Sequence, residues 1–330
     1  MATIRDMMPA FDLYQPSSVD AALDLLGRFR GDAWILAGGL DSFDWLKDRI
    51  KRPTALIDLA GITELAGVSE VDGGLQIGAM TTLSEIENDP LVRERYGILA
   101  DAARHVATPQ IRNAGTIGGN LCQDTRCWYY RSGWPCYRAG GNICYAAAPD
   151  AMHREHCIMG GRRCVAVNPS DTAPALLALD AQLVIRNSRG VQLIDATDFF
   201  IGPAIDITRM TVLKPGDLLM AIRVPDTWAG MRFYFEKVRE RQSWDFALVT
   251  IASALDLQGT SIRRARIALN GVAPYPLRLV EVERAVVGNP LNDETAQRAG
   301  ELAIRDTQPL PHNEYKQVLM RNLVRRALRG

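Results

Sequence analysis

Apolar positions at helical spacing open the chain. Val19, Ala22, Leu23, Leu25 and Leu26 follow Ser17 and Ser18, either of which can cap a helix, because a serine oxygen accepts a hydrogen bond from a free first-turn N–H. Ala33-Trp34-Ile35-Leu36-Ala37 is a continuous apolar run that stops at Gly38-Gly39, as a short buried strand does. The pattern then predicts a helix from Asp41 or Ser42 to Lys51, closed by Pro53, and another apolar strand from Thr54 to Leu59. Strand, helix and strand make a small βαβ-like unit.

From Gly61 to about Pro225 the pattern changes to short strands, such as Leu75–Ala79, Leu183–Arg186 and Leu218–Val224, with helices between them. Asp101 to Val106 reads as the end of a helix leading into a loop rich in Gly and Asn. Residues 122–164 interrupt this region with many Gly, Arg and aromatic residues and little periodicity. They look like an inserted loop held by something other than a hydrophobic core. Beyond Pro225, Met231–Val238, Leu248–Leu257 and Ile262–Leu269 predict three strands of an antiparallel sheet. Helices are expected near Leu277–Val287, Glu294–Arg305 and Asn313–Leu328, the last with Val318, Leu319, Val324, Ala327 and Leu328 largely along one face. The order fits an α+β architecture of two domains, 1–225 and 226–330.

Composition narrows the function classes. The chain has 330 residues, 47% apolar and 23% charged, enough for two domains with real cores. Lys plus Arg and Asp plus Glu both number 38, so no net field recruits nucleic acid or an anionic membrane. No apolar run approaches the roughly 18 residues of a membrane span, and no membrane insertion is expected. The start, Met1 to Pro9, lacks the apolar stretch of a secretory signal. The expected location is cytoplasmic, with export alongside a signal-bearing partner left open.

Three features could carry chemistry. The first is Leu36-Ala37-Gly38-Gly39-Leu40-Asp41-Ser42, a strand, two glycines and a helix start, where backbone N–H groups can approach a diphosphate closely. It is not the GxGxxG dinucleotide fingerprint, and a tight turn without a ligand is an equally physical account. The second is Gly115-Thr116-Ile117-Gly118-Gly119-Asn120, which could grip a diphosphate from the other side, with Thr116 and Asn120 supplying hydrogen bonds. The third is the cysteines. All six (Cys122, Cys127, Cys136, Cys144, Cys157 and Cys164) fall between residues 122 and 164. In a reducing compartment that points to a metal or redox site rather than to disulfides. With no CxxC pair and no ferredoxin-type run, spacing says only that the loop binds a metal.

Four motifs in register carry a resemblance. Ala37-Gly38-Gly39, Thr116-Ile117-Gly118-Gly119-Asn120, Asn168-Pro169-Ser170-Asp171 and Glu236-Lys237-Val238-Arg239 together resemble the flavin subunit of the xanthine dehydrogenase (molybdenum hydroxylase) family, across nearly the whole chain. The stretch Asn120-Leu121-Cys122-Gln123-Asp124-Thr125-Arg126-Cys127 is similar to the subgroup that carries an extra [4Fe-4S] cluster, including the 4-hydroxybenzoyl-CoA reductase β subunit and a bacterial aldehyde oxidoreductase flavin subunit. The resemblance implies a two-part FAD-binding domain, a small βαβ unit plus a mixed α/β subdomain, followed by a three-stranded sheet with helices. It assigns the FAD diphosphate to Leu36, Ala37, Gly38, Gly39, Leu40, Asp41 and Ser42 and to Thr116, Gly118, Gly119 and Asn120. Asp171 and Lys237 match positions near the flavin. Cluster ligands fall on Cys127, Cys136, Cys144 and Cys164, with Cys122 and Cys157 spare and a swap of Cys157 for Cys164 as the main alternative.

The implied activity is electron relay in an oxidoreductase complex. Substrate reacts at a molybdenum cofactor in a large subunit, a small subunit holds [2Fe-2S] clusters, and an external carrier such as ferredoxin exchanges electrons with this chain. Leu40 departs from the small or polar residue common at its position, so only a backbone contact to phosphate is expected there. Without the resemblance, Lys237 reads as a surface lysine and Asp171 as a cap for a helix at Thr172–Leu179. The four histidines form no evident ligand set. A stand-alone flavin oxidase, a zinc-stabilised binding module and a secreted disulfide protein are the alternatives.

Overall fold

The computed structural model describes residues 8–329. The reading of Met1–Met7 as lacking a secretory stretch lies outside the described residues. Among the described residues twelve strands form three sheets.

The first sheet is parallel, ordered β1-β3-β2, from β1 (Asp12–Tyr14), β2 (Ala33–Leu36) and β3 (Ala55–Asp58). Strand β1 is too short to show a pattern in sequence; its pairing with β3 defines it. The helix Val19–Phe29 starts at Ser18, whose oxygen accepts from the Ala21 N–H at 3.2 Å, and buries Val19, Ala22 and Leu26. Strand β2 is less buried than its apolar run suggests, with only Leu36 fully covered. The helix expected to reach Lys51 spans Ser42–Lys47. It stops early because Arg49 takes φ 55 and the Arg49 and Ile50 N–H groups turn back to the Leu46 and Trp45 carbonyls, a Schellman ending.

The second sheet, ordered β4-β5-β8-β6-β7, contains β4 (Val68–Val71), β5 (Gly74–Gly78), β6 (Gln182–Asn187), β7 (Gly190–Asp195) and β8 (Leu218–Pro225). Helices between residues 83 and 121 pack on it. The helix end expected at Asp101–Val106 belongs to the helix Gly97–Arg104, which stops two residues earlier.

The third sheet has four strands rather than three, ordered β12-β11-β10-β9: β9 (Arg232–Val238), β10 (Val249–Gln258), β11 (Ser261–Asn270) and β12 (Leu277–Arg278). Leu277 and Arg278 pair with Leu269 and Ala268, so the helix expected from Leu277 begins at Val280. Over so few residues an apolar pattern fits either state, and the free edge of β11 decides it. Strand β10 is buried on both faces. Ala252 and Ala254 join the core of the second sheet, while Val249, Ile251 and Leu255 pack on the C-terminal helices Asp293–Ile304 and Tyr315–Ala327. The buried face of that last helix runs through Lys316, Met320, Leu323, Val324 and Ala327, and Val318 faces solvent, contrary to the face expected for it.

Residues 122–164 carry only short helical turns. They are held by Tyr130 and Cys136 packed on Trp45 and by ion pairs from Arg126 and Arg131 to Asp41. Arg138 adds a buried pair to Asp124 and a bond to the Ile207 carbonyl. Among the described residues no helix is long and apolar enough to cross a membrane.

Candidate functional site

The two glycine segments form one surface. Gly39 turns the chain out of β2 at φ 77, and Gly38 lies so close to the second segment that a Cβ there would sit 2.0 Å from the Ala114 carbonyl oxygen. Leu40 Cδ1 would stand 3.3 Å from a Cβ on Gly115, and Ala37 Cβ 3.8 Å from one on Gly119. Gly118 fits against the Ala79 carbonyl. Only glycine permits this backbone-on-backbone approach. Thr116 starts the helix Ile117–Leu121 by accepting from the Gly119 N–H at 3.1 Å.

The side chains at these loops are largely engaged within the protein. Asn120 Oδ1 accepts from Ser170 Oγ and Thr172 Oγ1, each at 2.7 Å. Asp41 accepts from Trp45 Nε1 at 2.9 Å and from Arg126 and Arg131, and Ser42 accepts from Trp34 Nε1 at 3.0 Å. What the loops leave for a ligand is chiefly backbone. Leu40 is exposed on the same loop.

Asn120 leads directly to the 168–171 motif. Asp171 pairs with Lys237 at 2.6 Å, with side chains 5% and 1% exposed, and Lys237 Nζ also donates to the His105 carbonyl at 3.0 Å. Lys237 is therefore no surface lysine. Nor does Asp171 cap the helix Ala173–Ala178; Ser170 Oγ accepts from the Ala173 N–H instead. Burial pushes the Asp171 carboxyl above the usual range, and the Lys237 ammonium pulls it back.

Asp171 lines a cavity between the cysteine-rich segment and the β10–β11 end of the third sheet. It contains about 560 Å³ of space between atoms, part of it open to solvent. Five lining residues carry a buried polar atom without a protein partner: Thr125 Oγ1, His156 Nδ1, Asn168 Nδ2, Thr250 Oγ1 and Asn270 Oδ1. A buried polar atom left unpaired costs about 1–3 kcal/mol, so five around one cavity mark a place for a ligand with hydrogen-bonding edges.

A second cavity adjoins it, and Thr125 and Cys127 line both. Cys127, Cys136, Cys144 and Cys164 all face this smaller cavity, along with Tyr130, Arg138 and Tyr145. Cys122 lies outside its lining, and Cys157 packs with Ala146 and Val165 beside it. All six are free thiols. Burial raises the Cys127 thiol to about 11 and also raises Cys164. Such thiols stay protonated and unreactive until a metal displaces the proton.

Among the described residues no three His, Cys, Asp or Glu side chains are set around a single ion. A cubane cluster has a different demand, since its four thiolates bind four separate irons and stand farther apart. The buried Arg138 guanidinium, paired with Asp124, also lines the cavity next to Cys164 and leaves its Nε unpartnered. Four thiols lining one cavity are soft donors of the type that iron–sulfur clusters use.

Residues 153–157 complete the wall. His156 Nε2 lies 3.2 Å from Cys127 Sγ, and burial lowers its pKa to about 4, which keeps the ring neutral. Lys316, fully buried, donates to the Glu155 carbonyl at 2.8 Å and the Gly271 carbonyl at 2.6 Å. His153 and His312 stack at 5.0 Å, so the histidines do gather in part, though not as a ligand set. Sequence reasoning missed His156, Arg138, Thr250, Asn270 and Lys316. Most of their partners are far along the chain, and the available signal was that Arg138 and His156 lie inside the cysteine window.

A family model described as "FAD binding domain in molybdopterin dehydrogenase" matches residues 9–227, and one described as "CO dehydrogenase flavoprotein C-terminal domain" matches residues 233–330. The carbon monoxide dehydrogenase medium chain of Hydrogenophaga pseudoflava is 30% identical, covering 97% of this chain and 96% of its own. The aldehyde oxidoreductase FAD-binding subunit PaoB of Escherichia coli (strain K12) is 32% identical, covering 94% and 95%. A solved structure of the Hydrogenophaga carbon monoxide dehydrogenase, in a form lacking the Mo-pyranopterin moiety, superposes with a TM-score of 0.78 over 98% of this chain and 97% of that one, at 30% identity.

Proposed function

The chain belongs to the family of FAD-binding subunits of molybdenum hydroxylases, an oxidoreductase family, and on that premise we propose that it is an electron-transfer subunit carrying both FAD and a [4Fe-4S] cluster. The observation that carries this is the pair of adjoining cavities. One is lined by the four thiols assigned to a cluster, the other by unpartnered polar atoms beside Asp171, and Cys127 belongs to both.

The roles of the chain's own residues follow from their placement. Backbone N–H groups of residues 36–42 and 116–120 hold the FAD diphosphate between two touching glycine loops. Asp171, Thr250, Asn168 and Asn270 present hydrogen-bonding groups to the polar edge of the flavin ring. Lys237 holds positive charge nearby, which favours an electron-rich ring. Cys127, Cys136, Cys144 and Cys164 give up their protons and ligate the cluster, with Arg138 offsetting its charge. When bound, FAD exchanges electrons singly or in pairs, and the cluster exchanges them singly.

The partners of this reading are a large molybdenum-cofactor subunit, where substrate reacts, and a small [2Fe-2S] subunit, with ferredoxin as the external carrier. Residues 1–225 make the FAD domain and 226–330 the second domain, and the complex works in the cytoplasm.

Serine replacements test the cysteine assignment. Cys127→Ser, Cys136→Ser, Cys144→Ser and Cys164→Ser are each expected to remove most of the iron while flavin stays bound. Cys122→Ser and Cys157→Ser are expected to keep it. Metal and flavin analysis of each purified variant reads the outcome. Iron lost with Cys157→Ser but kept with Cys164→Ser would move the fourth ligand, and zinc in place of iron would overturn the redox role.

A further inference from the structure

We propose that His156 is a positioning residue for the [4Fe-4S] cluster: its Nε2–H donates to the Cys127 thiolate and so sets the reduction potential at the corner facing the flavin cavity. The inference rests on the cluster reading above and adds a residue outside the ligand set. His156 Nε2 stands 3.2 Å from Cys127 Sγ. Backbone N–H groups of Tyr129 and Tyr130 also reach Cys127 and that of Ala166 reaches Cys164, but among the described residues His156 is the only side chain hydrogen-bonded to any of the four assigned sulfurs. The Cys127 corner is the one between the cavities, since Cys127 is the only assigned ligand lining both.

The ring has little freedom. It is 3% exposed. Asn313 Nδ2 donates to the His156 carbonyl at 3.1 Å and to the Cys157 carbonyl at 3.2 Å, gripping the chain from the start of the last helix. On the other side, Lys316 Nζ holds the Glu155 carbonyl at 2.8 Å. A neutral imidazole carries one N–H, and a metal-bound thiolate can only accept. Ligation of Cys127 therefore fixes the proton on Nε2 and leaves Nδ1 as the acceptor, the atom without a partner in the protein. Cluster reduction adds negative charge to the sulfurs. A donor at one sulfur stabilises the reduced form more than the oxidised one and raises the potential.

The test uses the chain purified anaerobically with its cluster and flavin. Potentiometric titration followed by electron paramagnetic resonance gives the cluster midpoint in wild type, His156→Phe and His156→Gln. Phenylalanine fills the buried site without a donor and is expected to shift the midpoint to more negative potential at unchanged iron content. Glutamine, which restores an N–H, is expected to recover part of the shift. Should the phenylalanine variant lose its cluster, the wild-type chain with 15N-labelled histidine still decides: electron spin-echo spectra of the reduced cluster are expected to show one weakly coupled histidine nitrogen. A cluster whose midpoint ignores both substitutions, or whose spectrum shows no histidine nitrogen, overturns the inference alone. A wild-type chain without any cluster removes the reading beneath it as well.

Discussion

Replacing Gly38 by alanine is expected to strip the chain of most of its bound flavin. The added Cβ would meet the Ala114 carbonyl oxygen at 2.0 Å and its carbon at 2.8 Å. Both are backbone atoms, so no side-chain rotation relieves the clash, and the two glycine loops must separate. Overpacking of this kind costs about 1–3 kcal/mol in stability. The larger effect is on binding, because a diphosphate held by backbone N–H groups from two loops loses one set when the gap opens. Gly27 serves as the control. It lies within the helix Val19–Phe29, and a methyl group added there would have nothing within 4 Å. Gly27→Ala therefore keeps full flavin and gains up to about 1 kcal/mol of helix stability. Flavin released per chain on denaturation measures both. Full flavin in Gly38→Ala would mean that the contact of the two loops does not support the cofactor.

Asp171→Asn is expected to destabilise the chain by about 3–5 kcal/mol, the cost of leaving one partner of a buried ion pair without its counter-charge. Lys237 has a side chain 1% exposed, and among the described residues only the Asp171 carboxylate and the His105 carbonyl are partners of its Nζ. Adding Lys237→Met removes the stranded charge and is expected to return much of the lost stability. Flavin affinity is expected to stay low in the double variant, because neither the charge nor the hydrogen bonds facing the ring have been restored. Denaturant unfolding gives the first quantity and flavin titration the second. A double variant that recovers both would reduce the pair to a packing device; a single variant within about 1 kcal/mol of wild type would contradict its burial.

What the sequence made legible divides along physical lines. The glycine segments could be read because glycine answers a specific demand for close backbone approach, and Gly38 and Gly118 meet carbonyls at distances no other residue tolerates. The sheets could be read where apolar runs were long, as in β10, and not where pairing alone defines a strand, as in β1 and β12. The premature end of the Ser42–Lys47 helix hinges on a positive φ at Arg49, a residue type that gives no warning of it. Burial of Lys237 was equally invisible, since a lone lysine in a strand looks the same whether it faces solvent or a carboxylate from residue 171. The choice of Cys127, Cys136, Cys144 and Cys164 came from resemblance, because irregular gaps do not say which thiols converge. His156 and Lys316 went unread for the same reason: their contacts join segments separated by 29 and 161 positions.

An anaerobic absorption spectrum of the purified chain, with flavin and iron analysis on the same sample, tests whether it carries both FAD and a four-iron cluster. Flavin bands above a broad iron–sulfur shoulder are expected, with about one flavin and about four irons per chain. A colourless protein, even after reconstitution with FAD and iron, would contradict that assignment.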